Sequence, residues 1–367
     1  MNSDQVTRLL QELVRIPSVT PVGNPGTPHT GEAQLAGFIA DFLRKLGLDV
    51  EQHDVQPGRP NVVGRFSSRG AKRSIALAPH TDTVSVAGMV IDPFGGEVRD
   101  GRLFGRGACD TKGSAAAMLA ALARCVRDKD FRAGDLDVFF CAVMGEETGS
   151  EGARALCQRG FKVDFAMAGE PTNCRAVHAH KGSLWFKVIT RGKSCHAATP
   201  ERGENAIRKM ATVVEGLLDN PAFPPADPIL GLPTISVGAI RGGSATNIVP
   251  EYCEIEVDRR LIPGEQADRI MAEIRDRFGV EIQTNRVCPP LFTPAENPFI
   301  RALGVPVCGA PWFCDASVFA EFGSPAIAFG PGDIAQAHTA DEFIELTELH
   351  RATDVLERFL RVCAREV

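Results

Sequence analysis

The chain has 367 residues, 44% of them hydrophobic and 23% charged, which is enough apolar material for two globular domains. Its formal net charge of −6 argues against nucleic acid or a membrane surface as the main partner, since both call for clustered Lys and Arg. Eleven cysteines without any Cys-x-x-Cys pair favour reduced, buried thiols over a disulfide scaffold, and so predict a cytoplasmic protein.

The amino-terminal segment 1–17 has apolar residues at helical spacing with charges between them. It lacks the basic start and the continuous apolar run of a signal peptide, so none is expected. No stretch of the sequence approaches ~18 uninterrupted apolar residues, and no membrane-spanning segment is expected either.

The next elements alternate between helical and extended patterns. A helix is predicted over 30–47, where Gly47 is a typical stop signal. Short apolar runs that are continuous rather than alternating predict strands buried on both faces of a sheet, at 61–66, 74–78, 136–143, 165–168 and 326–329. Helical patterns at 114–127 and 152–159 separate some of these runs. The order predicts an α/β fold with a central, mostly parallel sheet.

The middle of the chain has a different pattern. Strands are predicted at 183–190, 234–240, 253–259 and 280–284, and helices at 204–218 and 265–278. The resulting β-α-β-β-α-β order is that of a ferredoxin-like α+β unit, which can form its own small domain. We therefore predict that a domain formed by 1–177 and 288–367 is interrupted by an inserted domain at 178–287.

Side chains of metal-binding or acid–base type follow the buried strands or precede the Ala-rich helix at 114–127: His80, Asp82, Asp110, Glu146, Glu147, Glu170 and His338. In open α/β sheets, ligands bind beyond the carboxyl ends of the strands, so these side chains are expected at one edge. A two-metal site needs His nitrogens and carboxylates, one of which bridges ions about 3.5–4 Å apart. It also needs a carboxylate that does not ligate and can accept a proton from water.

Single segments have other interpretations. The Gly-rich segment 105–113 could be a phosphate loop, but it lacks the spacing of either nucleotide fingerprint. Cys195 and His196 could form a nucleophilic pair, but adjacent residues of an extended segment point apart. His178 and His180 could bind a metal, yet the strand-end residues already supply a complete site. A protein that has lost catalysis and only binds a metal or ligand is also possible, and an intact set of ligands argues against it.

Nine segments resemble the M20 metallopeptidase family, and in particular its acetylornithine deacetylase and succinyl-diaminopimelate desuccinylase branch. They occur in the family's order along nearly the whole chain: APHTDTV (78–84), GRGACDTKG (105–113), MGEETGSEGA (144–153), AGEPT (168–172), HAHKGSLWFKV (178–188), GKSCHAATPERGENAI (192–207), GGSATNIVPE (242–251), DRRLIPGE (258–265) and FGPGDIAQAHTADE (329–342). One departure is Thr111, where the family commonly has Met.

The resemblance implies a role for each matching position. His80, Asp110 and Glu170 would bind one zinc ion, and Asp110, Glu147 and His338 the other, with Asp110 bridging and Co2+ able to substitute. Asp82 would hydrogen-bond the far nitrogen of His80, Glu146 would be the general base, and His196 would help to stabilise the oxyanion. The substrate's carboxylate would be held by Asn247, Arg260 and the backbone around Gly330.

The implied activity is removal of an N-acyl group, favoured to be acetyl, from a small amino-acid substrate such as N-acetylornithine, a reaction of arginine biosynthesis. Succinyl-diaminopimelate desuccinylase, aminoacylase and dipeptidase activities remain alternatives. The resemblance also implies a homodimer in which His196 reaches the site of the other chain. Closure of the two domains within one chain, or a surface position for His196, would be the other possibilities.

Overall fold

The computed structural model describes residues 1–22, 27, 29–68, 70–132, 134–219 and 221–365. The chain forms two compact units. The first consists of Met1–His178, Thr293–Cys308 and Cys314–Val367, and the second of Ala179–Phe292 and Gly309–Phe313. The second unit is therefore built from the middle of the chain, as is the insertion expected at 178–287, with a short additional segment at 309–313 that nothing in the sequence indicated.

The strands in chain order are β1 (Asp49–Gln56), β2 (Arg59–Phe66), β3 (Arg73–Pro79), β4 (Val98–Arg99), β5 (Arg102–Phe104), β6 (Leu136–Ala142), β7 (Phe165–Gly169), β8 (Ala176–His180), β9 (Gly182–Arg191), β10 (Cys195–His196), β11 (Thr234–Gly242), β12 (Ile248–Val249), β13 (Tyr252–Leu261), β14 (Glu281–Cys288), β15 (Leu291–Phe292), β16 (Val307–Ala310), β17 (Ala326–Ala328) and β18 (Phe343–Glu345).

The α-helices are α1 (Ser3–Val14), α2 (Ala33–Lys45), α3 (Lys112–Cys125), α4 (Lys129–Arg132), α5 (Glu146–Gly149), α6 (Glu151–Gln158), α7 (Ala206–Leu218), α8 (Ala267–Phe278), α9 (Pro298–Leu303), α10 (Ala316–Glu321) and α11 (Leu346–Cys363), and two short 3-10 helices lie at Pro200–Arg202 and Ile334–Gln336. Across the described ranges, no helix combines the length and the apolar character that crossing a membrane requires.

The first unit is organised around a sheet in the order β1-β2-β6-β3-β7-β17-β8. Its centre, β6-β3-β7-β17, is parallel, with Ile75 opposite both Val138 and Phe165. These strands are almost entirely buried because helices cover the sheet, and the Ala-rich α3 packs against both α1 and α11. The prediction of an α/β fold with a mostly parallel central sheet is confirmed.

The second unit contains an antiparallel sheet in the order β11-β13-β9-β14. With α7 between β9 and β11, and α8 between β13 and β14, this is the predicted ferredoxin-like arrangement. One face of the sheet carries Leu184, Phe186 and Val188, which join a core with buried residues of both helices. Strand β11 lies at one edge, and its Ile240 is 58% exposed.

All eleven cysteines are unpaired, and most of them are buried. Burial raises the pKa of the Cys157 thiol, for example, to about 12. These side chains therefore behave as small apolar groups that fill the core.

The loop segment between β6 and α6 includes the short helix α5, with Glu146 and Glu147. A single buried side chain binds both ends of this segment. Asn61, on β2, accepts a hydrogen bond from the Met144 backbone N–H at 3.0 Å and donates one to the Gly152 carbonyl at 2.8 Å. The fit is tight, since a Cβ atom added to Gly152 would lie 2.6 Å from the Asn61 side-chain oxygen. The position of the loop thus depends on Asn61.

Replacing Asn61 with Leu should destabilise the protein, because the Met144 N–H would stay buried without its partner and the Gly152 carbonyl would lose the bond from Asn61. We expect a loss of about 2–4 kcal/mol in the free energy of unfolding, measured by denaturant titration. The control is Asn297→Leu, which removes a single bond at the start of α9 and should cost about 1 kcal/mol. Equal losses in the two variants would contradict the role given to Asn61.

Candidate metal centre

His80 is placed by the end of β3. Residue 80 forms a parallel bridge with Val143, beyond the end of β6, and its side chain is almost completely buried. Its Nε2 lies 3.0 Å from Oδ1 of Asp110. Burial alone would lower the pKa of His80, but hydrogen bonds to Asp110 and Asp82 outweigh it and hold this pKa well above its usual value.

Asp82 does more than was expected of it. The His80 Nδ1 lies 2.9 Å from the Asp82 backbone carbonyl and 3.5 Å from its Oδ1, so the carbonyl is the nearer partner. The Asp82 carboxylate also accepts the backbone N–H groups of Glu146 and Glu147, both at 3.1 Å. A single buried residue therefore orients the His80 ring and fixes the main chain under both glutamates.

Asp110 lies between two histidines. Its Oδ1 faces His80, and its Oδ2 lies 3.3 Å from Nε2 of His338, which is itself 3.1 Å from Oε1 of Glu147. Burial would raise the pKa of Asp110, but the bonds to His338 and His80 hold it well below its usual value. The same bonds, to Asp110 and then to Glu147, raise the pKa of His338 to about 10. The two Asp110 oxygens therefore face two different histidines, as the predicted bridging role requires.

Thr111, the residue that departs from the family pattern, is completely buried. Its hydroxyl is buried and donates to the Gly169 carbonyl at 2.5 Å. That carbonyl belongs to the last residue of β7, directly before Glu170. The substitution therefore ties the Asp110 segment to the strand that carries another predicted ligand.

Glu170 and Gly330 lie close together at the ends of β7 and β17. Glu170 is buried, and burial together with the charges of Asp110 and Glu146 raises its pKa well above the usual value. A Cβ atom on Gly330 would lie 2.6 Å from the Glu170 carbonyl, so only Gly fits. The Gly330 N–H donates to the Thr172 hydroxyl, and the Gly330 carbonyl accepts from Thr172 and Cys174. Few backbone groups of Gly330 are therefore available to bind a substrate.

The donor set suits divalent ions. His80, Asp110 and Glu147 can each offer one ligand atom, and these atoms lie within 4.8 Å of one another. Burial raises the pKa values of Glu146 and Glu147, so ionised carboxylates are costly here without a counter-charge. A divalent ion supplies that charge, and the mixture of imidazole and carboxylate is the one that zinc accepts.

The remaining predicted site residues belong to the second unit. His196 is exposed on β10, and the neighbouring Ala197 N–H donates to the Asn247 carbonyl at 3.0 Å, so the structure brings these two segments together. Arg260, on β13, donates to Asp258 at 3.0 Å, and its guanidinium lies over the Phe313 ring.

Two further histidines, His178 and His180, have a backbone carbonyl within hydrogen-bond distance of Nδ1. His178 Nδ1 lies 2.7 Å from the Thr293 carbonyl, and His180 Nδ1 lies 3.0 Å from that of Lys181. Burial lowers the pKa of His180 to about 4, which keeps the ring neutral.

Two buried groups near the cluster had no distinct sequence signal. Asp315, before α10, is 2% exposed, and burial raises its pKa to about 6. Its charge contributes to the raised pKa of Glu146. Lys112, at the start of α3, is fully buried, donates to the Ile16 carbonyl at 2.7 Å, and has a pKa lowered by burial to about 7. Asp315 follows the apolar residues Phe313 and Cys314, and Lys112 lies two residues after Asp110 in segment 105–113.

His and carboxylate side chains gathered at the carboxyl edge of an α/β sheet are the donor set of metal-dependent hydrolases. The chain belongs to peptidase family M20/M25/M40, whose model matches residues 76–362. Its fold is similar to that of aminopeptidase PepT from Bacillus cereus, with 22% identity, 100% of both chains covered and a TM-score of 0.80. It is also similar to the M20 metallo-carboxypeptidase Sso-CP2 from Sulfolobus solfataricus, with 18% identity, 98% of this chain and 99% of that one covered, and a TM-score of 0.80.

A third similar structure is the YXEP protein from Bacillus subtilis, described as a dinuclear metal-binding peptidase of the M20 family. It is 16% identical, 99% of this chain and 98% of that chain are covered, and the TM-score is 0.72.

We expect two divalent ions per chain by elemental analysis. Glu147→Gln should lose one of them, because it removes a charged ligand atom from the cluster. Glu146→Gln should keep both ions and lose turnover by about 10²–10⁴-fold, because it keeps the shape of the side chain and removes the proton acceptor. A Glu146→Gln protein that lost metal and was active after reloading would contradict this division of roles.

Proposed function

We propose that this chain is a two-zinc amidohydrolase that removes an N-acyl group, favoured to be acetyl, from a small amino-acid substrate such as N-acetylornithine. The proposal rests on one observation: the Asp82 carboxylate accepts hydrogen bonds from the backbone N–H groups of both Glu146 and Glu147. Glu147 contacts the His338 ligand, whereas Glu146 is held next to it as a buried carboxylate with a raised pKa. Such a group suits proton transfer near neutral pH.

In the proposed reaction, two bound zinc ions would supply the positive charge that acidifies water and polarises the acyl carbonyl. Glu146 would accept the proton of the attacking water and pass it to the departing amine nitrogen. His196 would stabilise the negative charge that develops on the carbonyl oxygen. Arg260 would bind the substrate's α-carboxylate through its planar, two-pronged guanidinium.

Peptidase activity is the second candidate, because the proteins of similar fold include an aminopeptidase and a carboxypeptidase. Desuccinylase and aminoacylase activities use the same chemistry on other acyl groups. A metal-binding protein without catalysis is the alternative from another class. The acetyl preference is supported by sequence resemblance in segments 179–182, 242–247 and 330–338.

The substrate proposal is tested with a panel of acetylated, succinylated and dipeptide substrates, with released amine as the readout. We expect the highest kcat/KM on an acetylated amino acid and a large loss when its α-carboxylate is amidated. Arg260→Lys should raise KM markedly, because a point charge replaces a bidentate contact.

The control for this variant is Arg269→Lys, on the exposed face of α8, where Arg269 pairs with Glu273. It should leave KM unchanged. Full activity on the amidated substrate would refute the carboxylate contact, and preferred cleavage of dipeptides would replace the deacylase assignment with the peptidase one.

We further propose that the protein is a homodimer in which His196 serves the metal centre of the partner chain. All metal ligands belong to the first unit and His196 to the second. In the sheet of the second unit, β11 lies at the edge, where its backbone groups can pair with a second copy.

The dimer is tested by mixing the inactive variants His196→Ala and Glu146→Ala under conditions of subunit exchange. Each mixed dimer would have one intact site, so an equal mixture should recover about a quarter of the wild-type activity. A mixture of His80→Ala and Glu146→Ala should recover none, since both changes lie in the same unit. No recovery in the first mixture, despite demonstrated exchange, would contradict action across the interface.

A further inference from the structure

Glu342 is a completely buried carboxylate that directly precedes β18. Its Oε2 accepts from Nη1 of Arg106 at 2.7 Å and from the Gly107 N–H at 3.1 Å. Its Oε1 accepts from the backbone N–H groups of Cys109 and Asp110 at 2.9 and 3.0 Å. One side chain therefore binds three backbone donors and one guanidinium of the segment that ends at Asp110.

The 105–110 segment is shaped to surround an anion. Gly105 and Gly107 have φ values of +142° and +82°, in the region that favours glycine, and these turns direct several N–H groups to one point. The Glu342 carboxylate occupies that point. Because every surrounding group donates, both of its oxygens must accept, as an ionised carboxylate does. Burial raises the pKa of Glu342, and the Asp110 N–H and the Arg106 charge offset part of this rise.

Segment 338–342, which ends at Glu342, also carries a predicted metal ligand. His338 lies four residues before Glu342 and has a φ of +65°, an uncommon conformation for a residue with a side chain. Its Nε2 reaches both Asp110 and Glu147. Glu342 therefore holds segment 338–342, which carries His338, against segment 105–110, which carries Asp110. A shift of Glu342 would move two ligands of one ion.

We propose that Glu342 is a positioning residue for the metal centre: it sets the place of Asp110 and keeps His338 in register with it, without touching the ions. The inference rests on the metal centre of the proposed function and not on its acyl group. Residues that orient metal ligands typically contribute about 10–100-fold to metal affinity.

The test compares Glu342→Gln with wild type. However the new amide turns, its NH₂ group meets an N–H donor, because both carboxylate oxygens accept such bonds. Metal affinity of the metal-free proteins is measured by competition with a chelator, and ligand geometry by the visible spectrum of the Co2+ form. We expect at least one ion to bind about 10–100-fold more weakly, with an altered Co2+ spectrum.

The matched control is Glu265→Gln in the second unit. Glu265 is also largely buried and accepts from a guanidinium, that of Arg259, and from a backbone N–H, that of Ile262. It should lower the free energy of unfolding while leaving metal affinity and the Co2+ spectrum unchanged. An equal loss of metal affinity in both variants would show that Glu342 acts only through stability.

If Glu342→Gln does not fold, Glu342→Asp replaces it, because it keeps the charge and shortens the reach by about 1.5 Å. Weakened metal binding is again expected. Wild-type affinity and spectrum in a folded Glu342 variant would overturn the proposal. A wild-type protein that binds metal but does not hydrolyse acetylated substrates would contradict the acyl assignment alone.

Discussion

The structure of the first unit depends on one electrostatic constraint, the burial of several carboxylates beside one another at a sheet edge. Burial raises the pKa values of Glu146, Glu147 and Glu170, whereas the two histidines hold Asp110 ionised. Two imidazoles cannot balance this many carboxylates, so the arrangement is stable with further positive charge. The constraint explains why buried polar groups hold the main chain around the carboxylates of the cluster.

These groups act in the same way: each is a buried polar side chain that binds backbone N–H groups of a loop with predicted metal ligands. Asn61 binds the Met144 N–H, Asp82 binds those of Glu146 and Glu147, and Glu342 binds that of Asp110. Main-chain contacts fix the loops whatever their side chains do. The predicted ligands therefore remain available to metal ions, because residues that do not ligate hold the loops in place.

Much of the first unit could be predicted because its signals are local. Continuous apolar runs predicted β3, β6, β7 and β17, and the strand-end residues followed directly from them. The supporting contacts could not be predicted in the same way. Glu342 meets residues more than 230 positions earlier, and a lone Glu after an Ala-Asp pair resembles a solvated loop. Similarly, α11 packs against α3, a helix more than 200 positions earlier in the chain, and this pairing has no local sequence signal.

The metal centre and the substrate preference also depend on different kinds of sequence signal. The ligands come from short segments whose order along the chain identifies the family, and they account for amide hydrolysis in general. Arg260 has a different setting: it pairs with Asp258 two residues away, and it lies over Phe313, a residue of the separate 309–313 segment. Such neighbours shape the environment of the Arg260 guanidinium, and they are joined only by folding. Members of one family can therefore keep the same chemistry while the residues around a position like Arg260 differ and with them the substrate.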